Sequence, residues 1–225
     1  MDGVTDGLTN LKLGQKPVYL LKTKSSPSDS YEEYFENGDG LQYKPIFVPV
    51  LEHQFRDDAL RNLKRSAERF AFAGGSPENP AKLRKATNNP AKRFGGIIFT
   101  SQRAASTNYG SVVYETGEMA TFEEDFTNLL HEAKTAQVTE QWIVVFSPQG
   151  CEAMLSALGW LDERSGKYNA GRREVMLGPI KTRVATIGPT TKEFLEQNFG
   201  FVPDVCAEKP SPEGVGEAIM AFEKA

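Results

Sequence analysis

The chain has 225 residues, of which 39% are hydrophobic, and this is enough for one substantial core or two small ones. Its formal net charge of −4 at pH 7 is unfavourable for binding a nucleic acid. No apolar run reaches the roughly 18 residues that a membrane span needs, so no membrane partner is expected. The two cysteines show no CxxC or CxxH spacing, which indicates neither a disulfide framework nor a metal site and favours a reducing, cytoplasmic compartment.

The first part of the chain predicts a leader, a strand, a helix and a connector. Residues 1–17 are polar and without periodicity, as is typical of a loose leader. Residues 18–21 predict a strand, and a short helix over 29–36 follows a turn rich in serine and proline. Residues 45–55 are extended by composition, but two prolines suit an edge or linker strand because proline cannot donate to a ladder. We interpret this segment as a connector.

The middle of the chain contains one helical pattern, one loop and one strand. Residues 57–72 have the apolar spacing of an amphipathic helix, and residues 74–92 are rich in Gly, Pro and Asn, which predicts a mobile loop. Residues 95–104 form an apolar run with a polar turn that parallels Ile143 to Gly150, which indicates an internal duplication. Residues 111–116 predict a second connector strand.

The remainder of the chain alternates helices and strands. Such alternation predicts a parallel sheet in a doubly wound α/β lobe. The intervening stretch 162–179 is rich in Gly and Arg and predicts a loop. In order, the predicted elements are a helix at 122–133, a strand at 142–146, a helix at 151–158, a strand at 184–187, a helix from Thr190, a strand at 205–207 and a helix at 211–224.

Two of these units join a buried strand to a helix through a polar turn. Gly188 and Pro189 end one strand, and Thr190 and Thr191 follow where a helix N-cap is expected. Ser147 is the candidate cap in the other unit. Because the first-turn amides of a helix lack intrahelical partners, these turns predict a cradle for a carboxylate or phosphate. An ordinary capped turn between strand and helix needs the same residues and is the alternative interpretation.

Five motifs, in order and at consistent spacing, carry a family resemblance. They are Gly95–Ala104, Val113–Thr116, Phe146–Gly150, Ile187–Thr191 and Ala207–Pro212. Together they resemble uroporphyrinogen-III synthase, and the likeness extends over most of residues 18–225. The resemblance implies two similar flavodoxin-like α/β lobes joined by a two-stranded connector, with the active site in the cleft between the lobes.

The resemblance also implies how the chain divides. Residues 18–44 and 117–225 make a complete lobe, 45–55 and 111–116 are the connector strands, and 56–110 is a remnant of a truncated second lobe. The family pattern contains further strands and helices between the motif that ends near Ala105 and the connector strand that begins near Val112. In this sequence only a few residues separate the two. The internal duplication leads to the same conclusion, because the unit around Val184 in the second copy has no counterpart in the first copy. A lost exon, a gene-model error and a genuine shortened isoform are open explanations.

The resemblance implies an activity without a cofactor or metal. The family closes hydroxymethylbilane, a small linear tetrapyrrole with eight carboxylates, into uroporphyrinogen III with inversion of the last pyrrole ring. Tyr114 matches the family's connector tyrosine, a candidate general acid for departure of the hydroxyl, although cross-strand packing is an equal alternative. The residues expected to hold substrate carboxylates are Lys22, Ser101, Arg103, Ser147, Gln149, Gly150, Thr190 and Thr191; for Lys22, an ordinary surface lysine is the alternative.

The incomplete second lobe favours a second hypothesis of a different class. In it, the chain is an inactive remnant that binds a tetrapyrrole or another polycarboxylate without turnover. A third hypothesis, a flavodoxin-like lobe for a phosphate cofactor, is disfavoured because no glycine-rich phosphate motif follows the first strand. The resemblance implies a monomer; the sequence itself does not determine the oligomeric state.

Overall fold

The computed structural model describes residues 14–37, 42–55, 114–176 and 178–225, together with Leu8, Leu11, Lys12, Arg61 and Arg65. The chain divides into two compact units, residues 1–52 with 118–225, and residues 53–117. The described residues lie mainly in the first unit. The predicted loop at 74–92, the strand predicted within 95–104 and most of the leader and of the helix at 57–72 fall outside the described residues.

Strands and helices alternate through the first unit, as the sequence predicts. In chain order the elements are β1 (Lys16–Leu21), α1 (Ser30–Asn37), β2 (Tyr43–Phe47), β3 (Leu51–Phe55), β4 (Tyr114–Glu118), α2 (Phe122–Thr135), β5 (Glu140–Val145), α3 (Cys151–Ala157), α4 (Ala170–Met176), β6 (Lys181–Thr186), α5 (Pro189–Phe199), β7 (Val205–Cys206) and α6 (Pro212–Lys224).

The first unit is built on a five-stranded parallel sheet with the order β2-β1-β5-β6-β7. Counted within this sheet, the order is 2-1-3-4-5, which is the flavodoxin-like arrangement. The predicted doubly wound, flavodoxin-like lobe is therefore confirmed. The strand order reverses between β1 and β5, where the crossovers leave the sheet in opposite directions. β3 and β4 pair with each other in a separate two-stranded sheet.

Two apolar layers cover the two faces of the parallel sheet. Successive strand residues point to opposite faces, so Tyr19 and Ile143 join one layer while Leu20 and Val144 join the other. The first layer contains α2, α3 and α5, and the second contains α1 and α6. Burial on both faces explains why the strands read as continuous apolar runs instead of alternating patterns.

The segment that the sequence analysis assigns to a connector begins with a strand of the parallel sheet. Residues 45–47 belong to β2, which pairs in parallel with β1. β2 lies at the edge of the sheet. Pro45 is tolerated there because an edge strand has one side without a neighbouring strand. Only the following strand, β3, pairs with β4.

The stretch 162–179, predicted as a loop, contains the helix α4. No residue of α4 is buried, so its sequence shows no apolar period from which a helix is predicted. Two arginines attach the helix to the lobe instead. Arg172 donates to the Leu161 carbonyl at 2.8 Å, and Arg173 donates to Asp204 at 2.7 Å and to the Thr182 carbonyl at 2.9 Å.

Candidate functional site

The candidate site lies at the carboxyl edge of the parallel sheet. Leu21 pairs with Val145, and Val145 pairs with Thr186, so the last residues of β1, β5 and β6 are level with one another. Because adjacent strands are about 4.8 Å apart, the three turns that follow begin within about 10 Å. Ligands of doubly wound sheets bind at this edge where the strand order reverses. The structure thus brings together the turns that carry Lys22, Ser147, Gln149, Gly150, Thr190 and Thr191.

The turn after β5 is shaped by Gly150. Gly150 is the N-cap of α3 and has a φ of 84°, a left-handed conformation that favours glycine. A Cβ at this position would lie 2.0 Å from Val50 Cγ1. The Ser147 hydroxyl donates to the Gln149 carbonyl at 3.2 Å within the turn. The prediction that Ser147 caps α3 is therefore wrong, because the chain makes a further turn before the helix begins.

The turn after β6 presents the start of α5. Gly188 is the N-cap in an extended conformation, Pro189 is the first helical residue, and no side chain caps the helix. The prediction that Thr190 or Thr191 is the cap is wrong, since both lie in the first helical turn. Thr190 is exposed, whereas Thr191 is 3% exposed. Among the described residues, no side chain caps the first amides of α5, which is the feature expected of an anion cradle.

Thr186 is a feature of this edge that the sequence analysis missed. It is the last residue of β6 and is fully buried. Its hydroxyl has no hydrogen-bond partner among the described residues. A polar residue at the end of an otherwise apolar strand run is the signal that marks it in the sequence.

Lys22 is half-buried and forms an ion pair, with its side chain 20% exposed. Its ammonium pairs with the carboxylate of Asp29, which is 1% exposed. Asp29 also accepts hydrogen bonds from the amides of Ser25 at 2.8 Å and Tyr31 at 3.0 Å. Asp29 was not among the predicted site residues, because the helix predicted over 29–36 includes it, whereas α1 begins at Ser30. The signal is an aspartate directly before a helix start, which is a common N-cap pattern.

The pKa of the Asp29 carboxyl is lowered, and the cause predicts a pH-dependent stability. Burial by itself would raise this pKa, but hydrogen bonds from Lys22 and from two backbone amides outweigh burial. A carboxyl with a lowered folded pKa stabilises the fold above its unfolded pKa of about 3.9, and this contribution is lost as the pH falls through the folded pKa.

We therefore expect Asp29→Asn to reduce the free energy of unfolding at about pH 6 and to have a smaller effect at about pH 3. Urea unfolding at both pH values measures the difference. Glu33→Gln, at an exposed position of the same helix, is the control and is expected to have little effect at either pH. An equal loss for Asp29→Asn at the two pH values would contradict this assignment.

Tyr31 contributes an aromatic ring and a buried phenol hydroxyl to the carboxyl edge of the sheet. Its ring packs edge-to-face against Phe146, with 4.9 Å between the centroids. Its hydroxyl is buried and has no partner among the described residues. Burial, with the nearby carboxylates of Asp29 and Glu213, raises the pKa of Tyr31 to about 12. The side chain is therefore a neutral phenol at physiological pH.

Cys151, at the start of α3, lacks the environment of a nucleophile. Burial raises the pKa of its thiol to about 12, and the Sγ lies 3.5 Å from the Ser147 carbonyl. Since the thiolate is the reactive form, we expect iodoacetamide at about pH 8 to modify only Cys206, which is half-buried, in the folded protein. Denaturation is expected to expose both thiols. Mass spectrometry of the two samples checks this, and modification of Cys151 in the folded protein would overturn it.

Three of the predicted site residues are not described by the structure. Ser101 and Arg103 lie outside the described residues. The backbone of Tyr114 begins β4, but its side chain also lies outside the described part. Within the described ranges, His, Cys, Asp and Glu side chains form no group of three that could hold a metal ion. The described helices include none that is long and apolar enough to span a membrane.

The two polar turns, 147–150 and 188–191, lie within one segment of the chain that matches a known protein family. Residues 110–217 match the family described as uroporphyrinogen-III synthase HemD. The chain is 32% identical to the uroporphyrinogen-III synthase of Saccharomyces cerevisiae over 113 residues, which are 50% of this chain and 36% of that protein. It is 26% identical to the uroporphyrinogen-III synthase of Schizosaccharomyces pombe over 277 aligned residues, covering 93% of this chain and 98% of that protein.

A solved structure of a bacterial protein also matches. It is a mutant uroporphyrinogen III synthase from Thermus thermophilus, which aligns with a TM-score of 0.45 and 11% identity over 93% of this chain and 98% of that chain. The family match and the two fungal proteins show that the chain is similar to uroporphyrinogen-III synthases.

Proposed function

We propose that the chain is a uroporphyrinogen-III synthase, a cyclising lyase that converts hydroxymethylbilane to uroporphyrinogen III with inversion of the last pyrrole ring. One observation carries the proposal. The family match over residues 110–217 includes both turns, 147–150 and 188–191, which follow the adjacent strands β5 and β6 at the carboxyl edge of the sheet, the first of them at the switch between β1 and β5. The fold therefore presents the family's matched turns where such sheets bind ligands.

The reaction needs orientation more than reactive side chains. Loss of the substrate's terminal hydroxyl as water leaves an electrophilic azafulvene. The last pyrrole attacks it through its substituted carbon, and the resulting spiro intermediate fragments and recloses as isomer III. Uncatalysed ring closure gives isomer I, so an enzyme must hold both ends of the substrate in the geometry for inversion.

The carboxyl edge offers donors suited to the acetate and propionate groups of the substrate. In the proposal, the first amides of α5 with the exposed Thr190 hydroxyl hold one carboxylate. The turn of Ser147, Gln149 and Gly150 holds another. Each hydrogen bond to a charged carboxylate contributes about 1.5–3 kcal/mol. Several such bonds are enough to choose one substrate orientation over another.

The remaining roles follow from the family resemblance. Tyr114 is proposed as the general acid that assists departure of the hydroxyl, and Ser101 and Arg103 as further carboxylate-binding residues. We also propose that the protein acts in the cytoplasm, as a monomer, on its small-molecule substrate. The two free cysteines, Cys151 and Cys206, support a reducing compartment.

We propose further that the second lobe is shortened. The alignment with the Schizosaccharomyces pombe protein extends over 277 positions, more than the 225 residues of this chain, so that relative has residues without a counterpart here. The jump from Ala105 to Val112 is the proposed position of the missing part. This length difference supports the alternative function, an inactive remnant that binds a tetrapyrrole or another polycarboxylate.

Isomer analysis tests the proposal and separates the two functions. The purified chain is given fresh hydroxymethylbilane, the products are oxidised, and isomers I and III are separated by chromatography. Isomer III above a no-enzyme control is expected from a synthase. Isomer I only, together with saturable binding of uroporphyrin III, would favour the remnant. Isomer I only, without binding, would reject both functions.

A further inference from the structure

The ammonium of Lys22 is enclosed by aromatic rings from three elements around β1. Its Nζ lies 5.2 Å from the ring centroid of Phe47, 5.6 Å from that of Tyr31 and 5.9 Å from that of Phe146. These rings belong to the end of β2, to α1 and to the turn after β5. Aromatic ring faces attract a cation, so these three rings hold the Lys22 ammonium at the carboxyl edge of the sheet, beside the point where the strand order reverses.

Only part of the hydrogen-bonding capacity of this ammonium is used inside the protein. A lysine ammonium has three N–H donors. Among the described residues, its one hydrogen-bond acceptor is the Asp29 carboxylate. The Lys22 side chain is 20% exposed, so the protein does not enclose it completely. The remaining N–H donors are therefore available to an incoming anion.

Asp29 holds this arrangement rigidly. It is 1% exposed, and its carboxylate accepts from the Lys22 ammonium and from the amides of Ser25 and Tyr31. The two amide bonds tie the carboxylate to the β1–α1 loop itself. Moving the Lys22 charge therefore requires moving the loop or breaking a buried ion pair, and breaking such a pair is strongly unfavourable.

We infer that Asp29 is a positioning residue, which holds the Lys22 ammonium at the switch point so that its free N–H donors bind a carboxylate of the substrate. The inference rests on the proposed function for the identity of the substrate. The alternative for the same pair is a purely structural role, in which the bond between Lys22 and Asp29 stabilises the loop and contacts no ligand.

The first test removes the charge of Lys22 and measures binding without turnover. Lys22→Met keeps the long apolar stem and removes the ammonium. The matched control is Lys44→Met in β2, because the Lys44 side chain is also 20% exposed and also forms an ion pair, with Glu36 at 3.0 Å. The probe is uroporphyrin III, which carries the same eight carboxylates as the product, and its fluorescence reports the Kd.

We expect Lys22→Met to raise the Kd for uroporphyrin III about tenfold, because one charge-assisted hydrogen bond is lost. Lys44→Met is expected to change it less than about twofold. Lys22→Arg keeps the charge and is expected to recover part of the affinity. If Lys22→Met binds uroporphyrin III as well as Lys44→Met does, the inference is overturned, whatever the thermal stabilities of the variants.

The second test asks whether Asp29 acts through Lys22. In a double-mutant cycle, Lys22→Met is expected to weaken binding about tenfold in the original chain and less than about threefold in the Asp29→Asn background. Equal weakening in both backgrounds would show that Asp29 does not position the ammonium. If Asp29→Asn does not fold, Asp29→Glu replaces it, because it keeps the charge while displacing the carboxylate by one methylene.

The isomer assay separates failure of this inference from failure of the proposed function. If the unmodified chain forms no isomer III, the synthase proposal fails, while the binding cycle still tests Lys22 and Asp29. If the unmodified chain forms isomer III, Lys22→Met and Asp29→Asn are expected to lower its share relative to isomer I. An unchanged share for both variants would show that the pair does not orient the substrate.

Discussion

Replacing Gly150 with alanine is expected to destabilise the lobe by about 2–5 kcal/mol. A left-handed conformation costs a non-glycine residue about 1–2 kcal/mol, and overpacking a close contact costs about 1–3 kcal/mol. Both penalties apply, because Gly150 has a φ of 84° and a Cβ there would meet Val50 Cγ1 at 2.0 Å. Under the proposed function, a displacement of the turn after β5 by this strain would also lower the share of isomer III.

Urea unfolding followed by tryptophan fluorescence measures this effect. The two tryptophans of the chain, Trp142 and Trp160, are both fully buried in the described lobe, so the signal reports the unfolding of that lobe. Gly188→Ala is the matched control, because Gly188 is also a helix N-cap but is extended and has open space where a Cβ would lie. We expect it to cost less than about 1 kcal/mol.

A second substitution separates the two penalties at Gly150. Adding Val50→Ala removes the methyl groups that the new Cβ would meet but leaves the left-handed backbone unchanged. The double variant should therefore be more stable than the sum of the two single effects predicts. Strict additivity would show that Val50 does not crowd this position, and a Gly150→Ala variant as stable as Gly188→Ala would contradict the whole assignment.

Removal of the Glu223 carboxylate is expected to have a similarly large effect at the opposite end of the sheet. Glu223, near the end of α6, accepts hydrogen bonds from Lys16 at 2.7 Å, from Trp142 Nε1 at 2.8 Å and from the Tyr43 hydroxyl at 3.1 Å. Trp142 and Tyr43 are fully buried. A buried donor that loses its acceptor costs about 1–3 kcal/mol, so Glu223→Leu should destabilise the lobe by about 2–5 kcal/mol.

The same helix provides the control for Glu223. Glu217 is exposed on α6, and Glu217→Leu is expected to change the free energy of unfolding by less than about 0.5 kcal/mol. Glu223→Gln keeps an acceptor oxygen and should lie between the two leucine variants. Urea midpoints for the three variants, read from tryptophan fluorescence, make the comparison. Equal midpoints for Glu223→Leu and Glu217→Leu would show that this network does not hold α6 on the sheet.

The order of strands in the sheet also determines which predicted site residues lie close enough together to bind one ligand. Ser147 and Thr190 are more than forty positions apart in the chain, yet they follow strands whose last residues pair directly. Lys22 lies far from both in sequence and follows the strand on the other side of β5. A substrate with many carboxylates matches this spread of donors along one edge. A single-anion ligand would need only one of the turns.

Local patterns in the sequence predicted the α/β class of the lobe and the order of most of its elements. The predicted strands at 142–146 and 184–187 follow from their composition, and the helices between the strands predict a parallel sheet, because these signals depend on local composition and period. The motifs around Phe146–Gly150 and Ile187–Thr191 indicated the family and the approximate position of the site. These features are encoded within short stretches of the chain, so no knowledge of distant contacts is needed.

Contacts between distant segments set the neighbours of each side chain. Pro45 lies in a sheet strand because the edge beside β1 accepts it, and Lys22 is an ion-pair partner because the β1–α1 loop turns Asp29 back toward it. The caps of α3 and α5 are glycines, and at Gly150 the left-handed backbone and the contact with Val50 account for the choice. Each outcome depends on contacts between segments that local propensity does not register, which is the physical reason that the sequence could predict the edge but not its geometry.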